Sequence, residues 1–298
     1  FILDKNYQLM YILIVARDFP KKNEPLRGIF EFDQAKALQN FGHKVVYLSL
    51  DLRSIRRKRK LGKYWTVVDG INILNVSIPI GRVPVKVKYG IGKLALRLFH
   101  NLIIKKFGNP DIIHAHFSGI GFMSTVLKEK FNIPLIITEH SSKITKKVPS
   151  SNQKKFGDHV YSMADSIIAV SSLLANNLKK HWNVNAKVVH NIVDTTAFYF
   201  EEKKATAHFC FISIGNLIPR KGFDILIEAF QKADFSNTVR LKIIGEGPEH
   251  KKLQRQIDEA GINNQVELLG FLNRTEISKI MHECDAFVLA SQAETFGV

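Results

Sequence analysis

Apolar residues along this chain come in two rhythms that take turns from one end to the other. Short, nearly continuous runs read YILIVA (11–16), KVVYLSL (44–50), DIIHAH (111–116), PLIIT (134–138), SIIAV (166–170) and AKVVH (186–190). Between them, IFEFDQAKALQNFG (29–42), IGKLALRLFHNLIIKKFG (91–108) and SSLLANNLKKHW (171–182) bring an apolar residue round every three to four positions. The first kind fits strands buried on both faces, and the second fits helices with one apolar stripe. Strands of that kind, separated by helices, predict a parallel sheet covered on both sides.

The rhythm restarts at HFCFISIG (208–215). It runs through FDILIEAFQKA (223–233), VRLKIIG (239–245), HKKLQRQIDEAG (250–261), QVELLG (265–270), EISKIMHE (276–283) and DAFVLA (285–290), four strands and three helices. Between the blocks, NIVDTTAFYFEEKKATA (191–207) is polar and weakly periodic, as a connecting stretch would be. The predicted organisation is an N-terminal domain over 1–195, a linker over 196–207 and a C-terminal domain over 208–298, both domains doubly wound α/β units. Ligands of such sheets bind beyond the carboxyl ends of the strands, so the loops that follow strands are where chemistry is sought.

Charge sharpens this division. The chain of 298 residues carries a net +16. Residues 1–200 hold 31 Lys and Arg against 13 Asp and Glu, whereas residues 201–298 hold 12 against 14, so the excess belongs to the first domain. Its densest block is RSIRRKRKLGKYW (53–65), where Arg56, Arg57, Lys58 and Arg59 suit nucleic acid or an anionic membrane, or else a solvated loop. No nucleic-acid module accompanies that block. Cys210 and Cys284 fall in separate apolar strands and read as small buried hydrophobes, not as a disulfide framework, which predicts a cytoplasmic setting. No run approaches the roughly 20 apolar residues of a membrane span, and the N-terminal stretch lacks a signal peptide's basic start and cleavage site.

Five loops carry candidate chemistry. In SIGNLIPRKGFDILIEAF (213–230) a strand ends at Gly215, followed by Asn216, Arg220 and Lys221 and then by a helix start. Two cations at a helix N-terminus suit a phosphate, although a solvated basic loop would read the same way. IIGEGPEH (243–250) places Gly245 and Gly247 between a strand and a helix; tight turns use such glycines for sterics alone, without the third glycine of a dinucleotide fingerprint. Gly28 in NEPLRGIFEFDQAKAL (23–38) opens a helix after the first strand, as a turn glycine or as a close approach to a phosphate. His114 and His116 share one strand face, and His140 follows a strand in IITEHSS, where it is expected to be exposed to a ligand. Three histidines without carboxylate or cysteine ligands at metal spacing read as core and contact residues, with no metal expected. Glu294, in SQAETFGV at the end of the chain, is a carboxylate beyond a strand end, fit to accept hydroxyl hydrogen bonds.

Taken in order, RDFPKKNEPLRGIFEFDQAKALQNFGHKVVYL, PDIIHAHF, ITEHSS, VVHNIVDTTAF, SIGNLIPRKGFDILIEAF, IIGEGPEHKKL, VELLGFLNRTEI and DAFVLASQAETFG resemble the retaining GT-B glycosyltransferases of family 4, the glycosyl transferases group 1. The resemblance covers nearly the whole chain. It implies two Rossmann-like domains facing across a cleft, and transfer of a sugar from a nucleotide-sugar donor to a glycan or lipid-linked acceptor in surface polysaccharide or glycolipid synthesis. By matching position it gives Lys221 the donor diphosphate, Gly28 an approach to the same phosphates and His140 a place near the transferred sugar. It puts Gly245, Gly247, Leu269 and Gly270 around the nucleotide. Glu294 matches the first glutamate of the family's E-x7-E motif, whose second member would fall four positions beyond Val298, so the chain is expected to be cut within its second domain. Asn216 stands where members often carry arginine, so that either Arg220 supplies the charge or phosphate binding rests mainly on Lys221.

No Asp-x-Asp occurs in the sequence, in keeping with a family that neutralises its leaving diphosphate without a bound metal or other cofactor. The implied partners are a nucleotide sugar of unknown base, the acceptor, and an anionic membrane on its cytoplasmic face, with no specific nucleic acid. Two other readings remain open at this point. A nucleotide-sugar epimerase or glycan phosphorylase would share the fold, and a non-enzymatic binder of anionic membrane or nucleic acid would use the same basic half.

Overall fold

A computed structural model of the chain describes residues 8–21, 24–53, 61–141, 144, 148–202 and 208–296. It divides into two compact units, Phe1–Ile192 with Thr295–Val298, and Val193–Glu294.

The first unit is built on an eight-stranded sheet of β1 (Tyr11–Ala16), β2 (Lys44–Asp51), β3 (Gly62–Val68), β4 (Ile71–Ser77), β5 (Ile112–His116), β6 (Leu135–Glu139), β7 (Ser166–Ala169) and β8 (Lys187–Val188). Their order is β3-β4-β2-β1-β5-β6-β7-β8, parallel throughout except for the antiparallel β3–β4 pair. β1 is central and every residue in it is buried, which is why it reads as an unbroken apolar run. Its alternate side chains serve two cores. Leu13 and Val15 face the packed residues of helices α2 (Val85–Phe107), α3 (Ser118–Phe131), α4 (Ser151–Met163) and α5 (Ser172–Trp182), while Ile12 and Ile14 face Phe32 and Ala35 of α1 (Ile29–Asn40).

The β3–β4 hairpin is not among the predicted strands. Its signal is present in the sequence: Asp69 and Gly70 join two apolar runs, and both take positive φ, 46° and 78°. That is the two-residue turn whose twist matches a hairpin, and Asp-Gly is a preferred pair for it. The basic block read as one stretch over 53–65 therefore ends in a strand, with Lys63 on β3. α2 begins at Val85, ahead of its apolar periodicity, and α3 and α4 are not among the predicted helices. α4 is secured by a capping box in which Ser150 and Gln153 exchange side-chain bonds with each other's amides.

The second unit has four parallel strands, β9 (Phe209–Ile214), β10 (Val239–Ile244), β11 (Val266–Gly270) and β12 (Ala286–Phe287), in the order β11-β10-β9-β12. Helices α6 (Phe223–Lys232), α7 (His250–Glu259) and α8 (Arg274–Glu283) complete it, matching the expected four strands and three helices. Phe223, Ile227 and Phe230 of α6 and Leu253 and Ile257 of α7 pack on Leu241 and Ile243. β12 is shorter than the apolar run DAFVLA, although Val288 N–H still donates to Ile212 O at 2.9 Å. Residues from the expected linker also join this unit: Ser278 Oγ donates to Ala197 O at 2.6 Å, and a His282 ring nitrogen meets Tyr199 O at 2.9 Å.

Candidate active site

β9 and β12 are neighbours, so the loops leaving their carboxyl ends emerge side by side. The first holds Asn216, exposed, and a short 3₁₀ turn, Pro219–Lys221, that delivers the chain to α6. The second holds Glu294. Lys221 Nζ donates to Glu294 Oε1 at 2.6 Å, with both side chains mostly shielded from water. Arg220 Nη1 donates to Ala293 O at 2.9 Å and lies 3.9 Å from Glu294 Oε2. Gln292 N–H closes the junction on Arg220 O at 3.0 Å. Burial would raise the Glu294 carboxyl, but the Lys221 hydrogen bond and the charges of Lys221 and Arg220 outweigh it and hold the group below its ordinary value. The result is an ionised carboxylate fixed between two cations, at the sheet edge where ligands of such folds bind.

The glycines of the next loop have a job inside the unit. Gly245 lies at φ 145°, and a Cβ there would collide with the Gly215 carbonyl. A Cβ at Gly247 would strike the backbone of Leu217. Gly245 N–H donates to Gly270 O at 2.8 Å, and Leu217 N–H to Glu246 O at 2.9 Å. These glycines let the loops after β9 and β10 and the end of β11 interlock backbone to backbone, so their presence needs no ligand to explain it. Leu269 lies on β11 just before that junction and is half-buried.

In the first unit Gly28 precedes α1 with φ 64° and presses on the Asp18 carbonyl, closer than any Cβ allows. That contact brings the N-terminus of α1 against the end of β1. His140 follows β6, and here the structure corrects the expectation of exposure. The side chain is half-buried, its ring centroid 5.0 Å from that of Phe117 and 5.3 Å from that of His116, and its Nε2 lies 3.0 Å from His116 Nδ1. His114 extends the stack, 4.7 Å from His116, with its Nε2 2.7 Å from Thr138 Oγ1. Burial, with the charges of His114 and Arg17, pushes His140 down to about 3, and burial alone takes His114 to about 4. The stack is therefore neutral at physiological pH, and His140 is an uncharged hydrogen-bonding ring.

Three residues that sequence reasoning passed over organise this corner. Glu139 is fully buried; it accepts the amides of Ser118 at 3.0 Å, His140 at 3.0 Å and Ser141 at 2.9 Å, and the Tyr161 hydroxyl at 3.2 Å. One carboxylate thus ties the start of α3 to the loop that carries His140. Phe117 adopts φ 67°, a conformation that L side chains rarely accept, and its ring is covered by the Arg17 guanidinium at 3.8 Å. A carboxylate inside ITEHSS, at the buried end of an apolar run, was the available signal for Glu139. Nothing in the sequence marks Phe117 or Arg17.

Arg56, Arg57, Lys58 and Arg59 lie outside the described residues. Their neighbour Arg53 does not serve a free basic surface: Nε donates to Asp51 Oδ1 at 2.6 Å, and Nη2 to Asp18 Oδ2 at 2.6 Å and Asp51 Oδ2 at 2.8 Å. Two buried carboxylates at the ends of β1 and β2 claim it. Among the described residues no group of three or more His, Cys, Asp or Glu side chains is arranged to hold a metal, and no helix is long and apolar enough to cross a membrane.

The model of the Glycosyltransferase Family 4 matches residues 32–197, and that of the Glycosyl transferases group 1 matches residues 194–298. An uncharacterised glycosyltransferase of Methanocaldococcus jannaschii is 31% identical over 189 residues, 63% of this chain and 51% of its own. A 2-deoxystreptamine N-acetyl-D-glucosaminyltransferase of Niallia circulans is 24% identical over 215 residues, 64% of this chain and 55% of its own. The chain thus spans about half the length of the curated relatives it matches. Among solved structures, a sucrose-phosphate synthase from Thermosynechococcus elongatus superposes with TM-score 0.73 at 15% identity, covering 97% of this chain and 77% of that one. HepE of Anabaena, in complex with UDP and glucose, superposes with TM-score 0.66 at 18% identity, covering 97% and 76%. These likenesses give the fold, GT-B. With a family model covering more than half of its residues, and with two parallel α/β units carrying their candidate residues beyond the strand ends, the chain belongs to glycosyltransferase family 4.

Proposed function

We propose that this chain transfers a sugar from a nucleotide-sugar donor to a glycan or lipid-linked acceptor, with retention at the anomeric carbon and without a metal. The observation that carries the reading is the Lys221–Glu294 pair, held 2.6 Å apart with Arg220 alongside, at the carboxyl edge of the second sheet. A donor brings a diphosphate and sugar hydroxyls, and the pair offers one partner for each. On binding, the diphosphate takes Glu294's place beside Lys221, and the released carboxylate accepts hydrogen bonds from sugar hydroxyls. As the glycosidic bond breaks, negative charge grows on the leaving diphosphate, and Lys221 and Arg220 stabilise it where it develops. The leaving phosphate accepts the acceptor's hydroxyl proton on the face where the new bond forms. In the first unit His140, neutral and clamped, offers a hydrogen bond to a sugar substrate without adding charge. Relatives whose names describe sugar transfer, and a fold neighbour bound to UDP and glucose, support the substrate class.

Turnover tests the reading. With a panel of UDP-, GDP- and ADP-sugars and oligosaccharide or lipid-linked acceptors, Lys221→Ala is expected to lower release of nucleoside diphosphate by about 10²-fold or more, the scale for losing one stabiliser of transition-state charge. Undiminished release would remove Lys221 from the mechanism.

The acceptor side of the proposal rests on the first unit. Beyond its net positive charge, α2 turns Val87, Leu94 and Leu98 outward, all exposed, with Lys86 and Arg97 also exposed on the same helix. Apolar residues between cations suit the face of a helix lying on an anionic bilayer. Co-sedimentation with vesicles containing phosphatidylglycerol is expected to exceed that with neutral phosphatidylcholine vesicles and to weaken with salt. Leu94→Glu with Leu98→Glu is expected to reduce it several-fold. Equal sedimentation with both kinds of vesicle would overturn the electrostatic part.

A further inference from the structure

Cys210 and Cys284 are the only cysteines of the chain, and no spacing in the sequence pairs them. The fold does. Cys210 stands near the start of β9, and Cys284 caps α8 immediately before β12, the strand beside β9. Their Sγ atoms lie 2.9 Å apart. The backbones that carry them are locked together: Asp285 N–H donates to Cys210 O at 2.7 Å, and Cys210 N–H donates to Asp285 Oδ2 at 2.7 Å. The sulfurs thus need to close by less than ~1 Å to reach the bonded separation of about 2.05 Å.

A cation accompanies the pair. Lys242 Nζ is held by Glu283 Oε2 at 3.0 Å, and its charge interacts with both sulfurs. Burial works against that ammonium, yet Glu283 and the two sulfurs leave it above its ordinary value. A neighbouring cation favours the thiolate, the form that reacts with oxidants. Cys210 is buried and Cys284 half-buried, so the second is the one an oxidant in solution reaches. Burial and the hydrogen bond to Cys210 push the Cys284 thiol up to about 12, which slows that first attack.

We propose that Cys210 and Cys284 are a disulfide-forming pair, closed within one chain by two-electron oxidation with a peroxide. In the first step a cysteine sulfur attacks hydrogen peroxide, the O–O bond breaks, and sulfenic acid and one water form. In the second, the partner thiol attacks the sulfenic sulfur, the S–O bond breaks, and the S–S bond forms as a second water leaves. Both thiols are oxidised, the peroxide is reduced, and the two thiol protons end in the waters. The bond would join the roots of β9 and β12, the strands whose far ends carry Lys221 and Glu294. It requires no part of the proposed transferase activity, so the two readings stand or fall separately.

The test treats the dilute 298-residue chain with hydrogen peroxide, blocks remaining thiols with N-ethylmaleimide, and maps unreduced peptides by mass spectrometry. The expected result is a monomer with no alkylated cysteine, a peptide pair linked through Cys210 and Cys284, and full recovery of two thiols after dithiothreitol. A higher melting temperature of the oxidised protein, absent in Cys284→Ser, is expected alongside. Two thiols that stay free, a sulfinic acid at either position without the linked peptide, or a dimer linked between chains would each overturn the proposal. Because Cys284 is half-buried, Cys284→Ser is the variant least prone to misfolding, and a cross-link surviving in it would also contradict the pairing.

Discussion

Lys221 and Glu294 are separated by 73 positions in the chain and by 2.6 Å in space. Each was legible as a candidate from its loop, a cation before a helix and a carboxylate after a strand. Their contact was not, because it depends on β12 crossing to the free edge of β9, a long-range choice that periodicity does not encode. His140 shows the opposite failure: the position was readable, but its burial between Phe117 and His116 follows from the neighbouring strands β5 and β6 ending at one edge. Gly245 belongs to this scale as well. Replacing it with alanine would set a Cβ into the Gly215 carbonyl at a φ that L residues avoid, and neither side of that clash is a flexible side chain. Gly245→Ala is expected to cost on the order of 2 kcal/mol or more, read as a lower urea midpoint at unchanged slope. A midpoint within error of the parent would show that the loops can part.

At the scale of elements, buried parallel strands announced themselves because both of their faces are apolar, and the three helices of the second unit were equally plain. The β3–β4 hairpin is hard to read from periodicity because its edge strand has no buried residue, only exposed and half-buried ones, so its apolar signal is weak, and the turn pair Asp69-Gly70 is the stronger clue. α3 is mostly buried on a background of glycine, serine and threonine, which blurs a helical stripe. Local chemistry at helix ends is nonetheless readable. Asn273 accepts from Glu276 N–H at 3.0 Å while Glu276 Oε2 accepts from Asn273 N–H at 2.7 Å. Asn273→Ala removes one arm of that box and is expected to cost about 1 kcal/mol, measured by chemical denaturation. No loss would mean that water replaces the cap at full value.

At the scale of the whole molecule, the division into a basic and a near-neutral half coincides with a division of chemical equipment. The first unit carries the buried histidines. Burial holds His100 and His114 at about 4 and His140 at about 3, against an ordinary value of 6.5, and His116 lies well below it. The unfolded chain therefore binds protons near pH 6.5 that the folded chain refuses, so stability is fully present above that pH and is lost as pH falls towards 4. The urea midpoint of the first unit's transition is expected to drop between about pH 7.5 and about pH 5, above the range where carboxylates titrate. An unchanged midpoint would place those rings in contact with water. The second unit carries the cations and the carboxylate on which the proposed chemistry turns, and the most direct test of that claim is a binding measurement. Isothermal titration of UDP, GDP and ADP into the chain and into Lys221→Ala is predicted to find at least one nucleotide that binds, with Kd weakened at least tenfold, about 1.4 kcal/mol, by the substitution. Equal affinity in the two proteins, or no nucleotide bound by either, would contradict the account.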